Sequence, residues 1–113
     1  MARVQLSDLP ENVQEVIQRI VEGYDPEKII IFGSYARGDW TDDSDLDVLV
    51  VKETRERPFE RIGAVSGSCW PRKLSMDIVV KTPEEIENEL QEQQLFTREI
   101  MREGVLVHDR ASA

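Results

Sequence analysis

Apolar residues recur along the first half of the chain at two different spacings. Between residues 13 and 24 they fall three and four positions apart, which predicts one amphipathic helix. Asp8 followed by Glu11 resembles a capping box at the start of this helix. Two short runs, 28–33 and 46–51, are largely apolar and rich in β-branched residues, which is typical of strands buried on both faces.

The second half repeats this alternation with longer helical segments. A helix is predicted near 58–66 and a third strand over 73–81. The acidic segment 84–103 has helical spacing that breaks register around 91–94, which indicates a kink or two helices. A short final strand follows at 105–107. With one helical turn after the first strand, this order predicts an α/β or α+β domain with a small sheet flanked by helices.

Composition narrows the classes of protein that remain. With 113 residues, we expect residues 1–113 to form a single domain. The 23 Asp and Glu against 14 Lys and Arg give a net charge of −9, which argues against direct nucleic-acid binding. The single cysteine, Cys69, excludes an intrachain disulfide and a four-cysteine zinc site. Without an apolar run of about 20 residues or a secretory leader, we expect a cytoplasmic protein with no membrane partner.

Gly33-Ser34 stands where the first predicted strand ends and a helical turn begins. The first backbone N–H groups of a helix are free and carry partial positive charge, which suits phosphate. Gly33 would allow a ligand to approach the backbone closely, and Ser34 would add a hydroxyl donor. The alternative is an ordinary strand end with a serine N-cap.

Asp45 and Asp47 open the second predicted strand. Residues i and i+2 of a strand share a face, so the two carboxylates are expected to lie close together. At about 5 Å and an effective dielectric near 20, they would repel by about 3 kcal/mol unless a cation compensates. Carboxylate oxygens are ligands that Mg²⁺ or Mn²⁺ prefers. The alternative is a solvated acidic turn, since Asp42 and Asp43 lie just upstream.

Asp77 interrupts the third apolar strand. A buried aspartate is costly unless it is paired or bound to a metal. If this strand lies beside the 46–51 strand, Asp77 can join Asp45 and Asp47. The alternative is an edge strand with Asp77 facing solvent.

The stretch from Gly33 to Val50, GSYARGDWTDDSDLDVLV, closely resembles the signature of the DNA polymerase β-type nucleotidyltransferase superfamily. The short chain and its ending, FTREIMREGVLV from Phe96 to Val107, resemble the minimal nucleotidyltransferase (MNT) branch. This resemblance implies a mixed, twisted sheet with flanking helices. It also implies that Asp45, Asp47 and Asp77 form a catalytic triad of metal ligands.

The same resemblance implies a reaction and its cofactors. Gly33 and Ser34 would hold the triphosphate of an NTP, with ATP as substrate. Two Mg²⁺ ions bridged by the carboxylates would clamp the α-phosphate, activate the attacking hydroxyl and neutralise the leaving pyrophosphate. Arg37 is a further candidate for nucleotide binding, as a bidentate donor to the β- or γ-phosphate, or else a solvated surface arginine. Trp40 is a candidate to stack on a base, or a packing residue of the loop.

The expected protein partner is implied by the family resemblance and not by any individual residue. Proteins of the MNT branch are often paired with a small helical HEPN protein, typically an RNase toxin. The resemblance implies an antitoxin that transfers AMP from ATP to a tyrosine of that toxin. The acidic balance of the chain fits a basic partner, and the run 82–94, with five glutamates and no Lys or Arg, is a candidate docking face.

Two other functions remain open at this point. The first is an antitoxin that neutralises its partner by binding alone; the three convergent aspartates argue against it. The second is a nucleotidyltransferase acting on a small molecule such as an aminoglycoside. The lack of room for an acceptor-binding domain in 113 residues argues against that reading.

Overall fold

The computed structural model of the protein describes residues 1–112. Two short 3₁₀ turns, Leu6–Asp8 and Arg110–Ser112, stand near the ends. The strands are β1 (Ala2–Arg3), β2 (Lys28–Phe32), β3 (Leu46–Val51), β4 (Met76–Lys81) and β5 (Val105–Asp109). The helices are α1 (Glu11–Tyr24), α2 (Ser34–Arg37), α3 (Pro58–Ser68), α4 (Pro83–Gln91) and α5 (Leu95–Glu103). None of the helices in this part of the chain is long and apolar enough to cross a bilayer.

The five strands form one mixed sheet in the order β1-β5-β2-β3-β4. Strand β2 runs antiparallel to both of its neighbours, β3 and β5, whereas β3 and β4 are parallel, as are β1 and β5. Helix α3 supplies the crossover that a parallel β3–β4 pair requires. The predicted class, a small mixed sheet flanked by helices, is confirmed.

The sheet separates two apolar clusters because alternate strand residues point to opposite faces. On one face, Val48 and Val50 pack with residues of α1 and α3. On the other, Leu49 and Val51 pack with Ile86 of α4 and with Ile100 of α5. Side chains at odd-numbered positions of β3 therefore lie on the face that α4 and α5 cover.

The start of α1 differs from the prediction. Asp8 lies in the 3₁₀ turn that precedes the helix, and Pro10 occupies the N-cap position without a side-chain cap. The Asp8–Glu11 spacing therefore does not form a capping box. The fixed φ of a proline is compatible with the start of a helix, so that a side-chain cap is not required there.

The strands also differ from the prediction, and the last one extends to Asp109 rather than ending at residue 107. The third strand begins at Met76 rather than at residue 73, although the backbone carbonyl of Ser75 already accepts a hydrogen bond from Leu46. The two-residue strand β1 was not predicted, because a strand this short carries no periodicity to detect. The Val4 N–H extends its pairing to the carbonyl of Leu106, at 3.0 Å.

The predicted break in the acidic segment is confirmed as two helices, α4 and α5, separated by Gln93 in a left-handed conformation. Two of the five glutamates in the run 82–94 are paired with basic side chains of the chain. Glu85 accepts a hydrogen bond from Arg61 at 2.6 Å, and Glu89 accepts one from Lys81 at 2.8 Å. The run is therefore less of a free acidic face than its sequence indicates.

Candidate active site

Three aspartates lie at the end of the sheet where β3 and β4 begin. Asp45 directly precedes β3, and Asp47 and Asp77 are the second residues of β3 and β4. The two strands are parallel and in register, so that Asp47 is the direct partner of Asp77. Neighbouring strands lie about 4.8 Å apart, which makes the two side chains neighbours on one face. The condition on which the Asp77 prediction rested, that its strand lies beside β3, is met. The stated alternative also describes the structure, since β4 is an edge strand and Asp77 is exposed.

The pKa of Asp47 reflects its partial burial and also the nearby charges of Asp77 and Asp45. Partial burial raises the pKa of the Asp47 carboxyl above its usual range, and the negative charges of Asp77 and Asp45 raise it further. Arg37 acts in the opposite direction and lowers the pKa of Asp47, without cancelling the rise. The ionised carboxylate is thus held where negative charge is disfavoured, an arrangement that a bound cation would relieve.

The donor set fits a hard divalent cation by its chemistry, since carboxylate oxygens are preferred ligands of Mg²⁺. Asp45 and Asp77 are exposed and Asp47 is half-buried, so all three are open to an incoming ion. Among residues 1–112, no three His, Cys, Asp or Glu side chains are close enough together to hold a metal ion in their present rotamers. The carboxylates are neighbours on the sheet rather than a closed cage.

Gly33 brings the turn after β2 against the carboxylate of Asp47. Its φ of 71° is a conformation that residues with a side chain rarely adopt. A Cβ added at Gly33 would lie 3.1 Å from Cγ of Asp47 and would overlap its Oδ2. The backbone of Gly33 and the carboxylate of Asp47 are therefore in direct contact, and only glycine permits that contact.

Ser34 and Arg37 are carried by α2, the single helical turn that follows Gly33. Ser34 is its first residue and is half-buried. Arg37 is exposed, and its Nε lies 3.3 Å from a carboxylate oxygen of Asp39. Arg37 also lines a cleft of ≈ 110 Å³ together with Gly33. Arg37 thus stands at the edge of the site, and binding a phosphate would require it to exchange Asp39 for the ligand.

Two aromatic residues lie beside this site that the sequence did not single out. Phe32 is the register partner of Asp47 on β2, and Phe96 of α5 packs edge-on against Phe32. Both line the cleft with Gly33 and Arg37. In sequence, Phe96 is an apolar position of a helix and the first residue of the ending that resembles the MNT branch, and it is separated from Gly33 by more than sixty residues. No local signal could have placed it here.

We expect Asp47→Asn to stabilise the metal-free protein at neutral pH. A folded-state pKa raised above the unfolded value means that stability falls as the pH rises between those two values. Above that window the ionised Asp47 lowers the free energy of unfolding, and a neutral amide removes this cost. We expect a melting temperature higher by a few degrees at pH 7 in EDTA.

The gain should disappear at a pH below the unfolded-state pKa, where Asp47 is protonated in both states. Thermal unfolding of both proteins in EDTA, from pH 3 to pH 8, measures this. A variant that is less stable than the wild type at pH 7 would contradict the expectation.

Comparisons with known proteins agree with this geometry. Residues 13–107 match the family model described as a nucleotidyltransferase domain. A solved structure from Sulfolobus solfataricus, provisionally titled a nucleotidyltransferase, superposes with a TM-score of 0.65 and covers 96% of this chain and 86% of its own. At 23% sequence identity this similarity shows the fold alone.

Two proteins of Methanocaldococcus jannaschii, both provisionally named protein adenylyltransferases, are similar over shorter segments. One is 71% identical over 24 residues, which are 21% of this chain and 24% of the relative. The other is 40% identical over 45 residues, which are 40% of this chain and 52% of the relative. The matched segments thus span about a quarter and about half of these curated relatives. From the family match, which extends over most of its length, the chain belongs to the nucleotidyltransferase domain family.

Proposed function

We propose that this protein is a Mg²⁺-dependent protein adenylyltransferase. It would transfer AMP from ATP to a tyrosine hydroxyl of a partner HEPN-type toxin and so act as its antitoxin. Membership of the nucleotidyltransferase domain family supports the reaction class. The names of the two archaeal relatives support AMP as the group transferred and a protein as the acceptor.

The observation that carries the proposal is the pairing of Asp47 with Asp77 beside Gly33. It brings acidic side chains from two strands to one face of the sheet, with Asp47 in contact with the turn after β2. Phosphoryl transfer needs positioning and charge neutralisation more than covalent chemistry from the protein. A carboxylate group next to an open backbone turn offers both.

The chemistry assigns a role to each group. Asp45, Asp47 and Asp77 would hold Mg²⁺, which when bound neutralises phosphate charge and lowers the pKa of a coordinated hydroxyl. Gly33 and Ser34 would orient the triphosphate, and Arg37 would contact its β- or γ-phosphate. The acceptor oxygen forms a bond to the α-phosphorus while the bond to the bridging oxygen breaks. Pyrophosphate leaves, and the hydroxyl proton passes to a carboxylate of the site, with Asp77 as the candidate, and then to water.

The proposal also concerns the setting in which the protein works. A net charge of −9 is complementary to a basic, RNA-binding partner and would favour a hetero-oligomer with it. Such a toxin acts in the cytoplasm, so that the antitoxin is placed there too. Neither direct nucleic-acid binding nor a membrane partner is part of the proposal.

The test uses the protein encoded next to this one as candidate acceptor. The two proteins are incubated with ATP and Mg²⁺, and the intact mass of the acceptor is then measured. We expect the mass of the acceptor to increase in whole AMP units while pyrophosphate is released. Peptide mapping should place the AMP on tyrosine. A matched reaction with EDTA in place of Mg²⁺ should give no gain.

Other outcomes would redirect the proposal. A stable complex that silences the neighbour without any mass gain would favour an antitoxin that acts by binding alone. Transfer of AMP to a small molecule in the absence of any partner would favour a small-molecule nucleotidyltransferase. Failure to bind ATP with Mg²⁺ would contradict the enzyme altogether.

A further inference from the structure

Phe96 is an apolar side chain that the fold leaves largely open to solvent. It is 53% exposed, although it belongs to a helix whose Ile100 is buried against the sheet. Its ring meets Phe32 edge to face, with centroids 5.8 Å apart and an angle of 83°. The contact with Phe32 holds Phe96 in place from one side while much of its surface remains uncovered.

The position of Phe96 relates it to the proposed nucleotide site. Phe32, which supports it, is the register partner of Asp47 on the same face of the sheet. Phe96 lines the small cleft with Gly33 and Arg37, residues proposed to bind the triphosphate. An exposed aromatic ring therefore lines the same cleft as two residues proposed to bind the triphosphate, together with Glu99 and Glu103.

The other aromatic candidate is differently placed. Trp40 stacks on Tyr35, with ring centroids 5.1 Å apart and an angle of 5°. Tyr35 belongs to the apolar cluster on the α1 and α3 face, opposite to the face of Asp47. Trp40 is 39% exposed and does not line the cleft of Gly33 and Arg37. Stacking of Trp40 on a base therefore stays a prediction.

We infer that Phe96 is the surface on which the nucleobase of the bound NTP stacks, supported from behind by Phe32. The inference rests on the proposed function, because it presumes a nucleotide at this site. Base–aromatic stacking contributes substantially to affinity and is tolerant of base identity, since every base has a π-face. Phe96 then raises affinity for nucleotides in general and does not by itself select adenine.

The test compares the binding of two probes, ATP and inorganic tripolyphosphate, to the whole chain. Only ATP carries a base, so the comparison separates recognition of the base from recognition of the phosphates. Isothermal titration calorimetry with Mg²⁺ gives both dissociation constants. We expect Phe96→Ala to weaken ATP binding at least about fivefold and to leave tripolyphosphate binding unchanged. We expect Phe96→Trp to restore ATP binding, and CTP or GTP to be affected like ATP.

Phe59→Ala is the matched control, because Phe59 is 69% exposed on α3, the layer on the other face of the sheet. It should alter neither constant. Unchanged ATP binding by Phe96→Ala, or an equal loss for both probes, would overturn the inference while leaving the proposed function standing. An effect of Phe96→Ala confined to the KM of a protein acceptor would overturn it in favour of acceptor docking. A wild-type protein that binds neither probe would remove the proposed function and this inference together.

Discussion

Replacing Asp45 and Asp47 together with asparagine is expected to abolish AMP transfer, lowering the rate at least about a thousandfold. The two amides keep the shape of the side chains and remove the charge that holds the cation against the phosphates. Asp47 is also the residue whose neighbours Asp77 and Asp45 both raise its pKa, so it lies at the centre of the acidic group. The measurement is the rate of AMP incorporation into the acceptor by intact mass, at saturating ATP and Mg²⁺.

A matched control exists in the same loop. Asp42 and Asp43 are exposed, line a different cleft that includes Trp40, and precede the site by two to three residues. Asp42→Asn with Asp43→Asn removes the same charge and should retain most of the activity. If the Asp45 and Asp47 variant transferred AMP at the wild-type rate, the metal site would have to lie elsewhere.

The same acidic pair connects activity to stability. Because the ionised Asp47 is unfavourable in the folded, metal-free protein, its removal is expected to stabilise the fold. An inactive variant that melts at or above the wild-type temperature would show that activity was lost through the site and not through unfolding. Functional sites commonly retain such unfavourable charge.

Gly33→Ala is expected to weaken ATP binding more than tenfold and to lower the free energy of unfolding by about 1–3 kcal/mol. Two causes act together. The backbone of Gly33 has φ 71° and ψ −147°, which is costly for any residue with a side chain. The added methyl would also overlap the carboxylate of Asp47, so that either the turn or the ligand must move. Chemical denaturation and titration with ATP measure the two effects separately.

Gly63→Ala is a control for which we expect the opposite change in stability. Gly63 lies within α3, and a Cβ added there meets no atom within 4 Å. Because alanine is the better helix former, this change should stabilise the protein by about 0.5–1 kcal/mol and leave ATP binding unchanged. A Gly33→Ala protein with normal stability and normal ATP affinity would contradict the contact with Asp47.

The sequence was sufficient wherever a structural feature depends on neighbouring residues. The three- and four-residue spacing from Val13 to Tyr24 predicted α1, because a helix brings those positions onto one face. The β-branched runs predicted β2 and β3 almost to the residue. Strand alternation likewise predicted that Asp45 and Asp47 share a side, although β3 begins only at Leu46 and leaves Asp45 just outside the strand.

Features that join distant segments needed the tertiary structure. Asp77 lies thirty residues after Asp47, and only the parallel pairing of β4 with β3, in a register that no local pattern specifies, makes them partners. The pairing of Phe96 with Phe32 and the stacking of Trp40 on Tyr35 depend in the same way on how helices and loops cover the sheet. Local spacing thus determined the elements and the candidate chemistry of this protein. The packing of strands and helices far apart in the chain decided which side chains share the site, because register and helix placement minimise the free energy of the whole core rather than of any one segment.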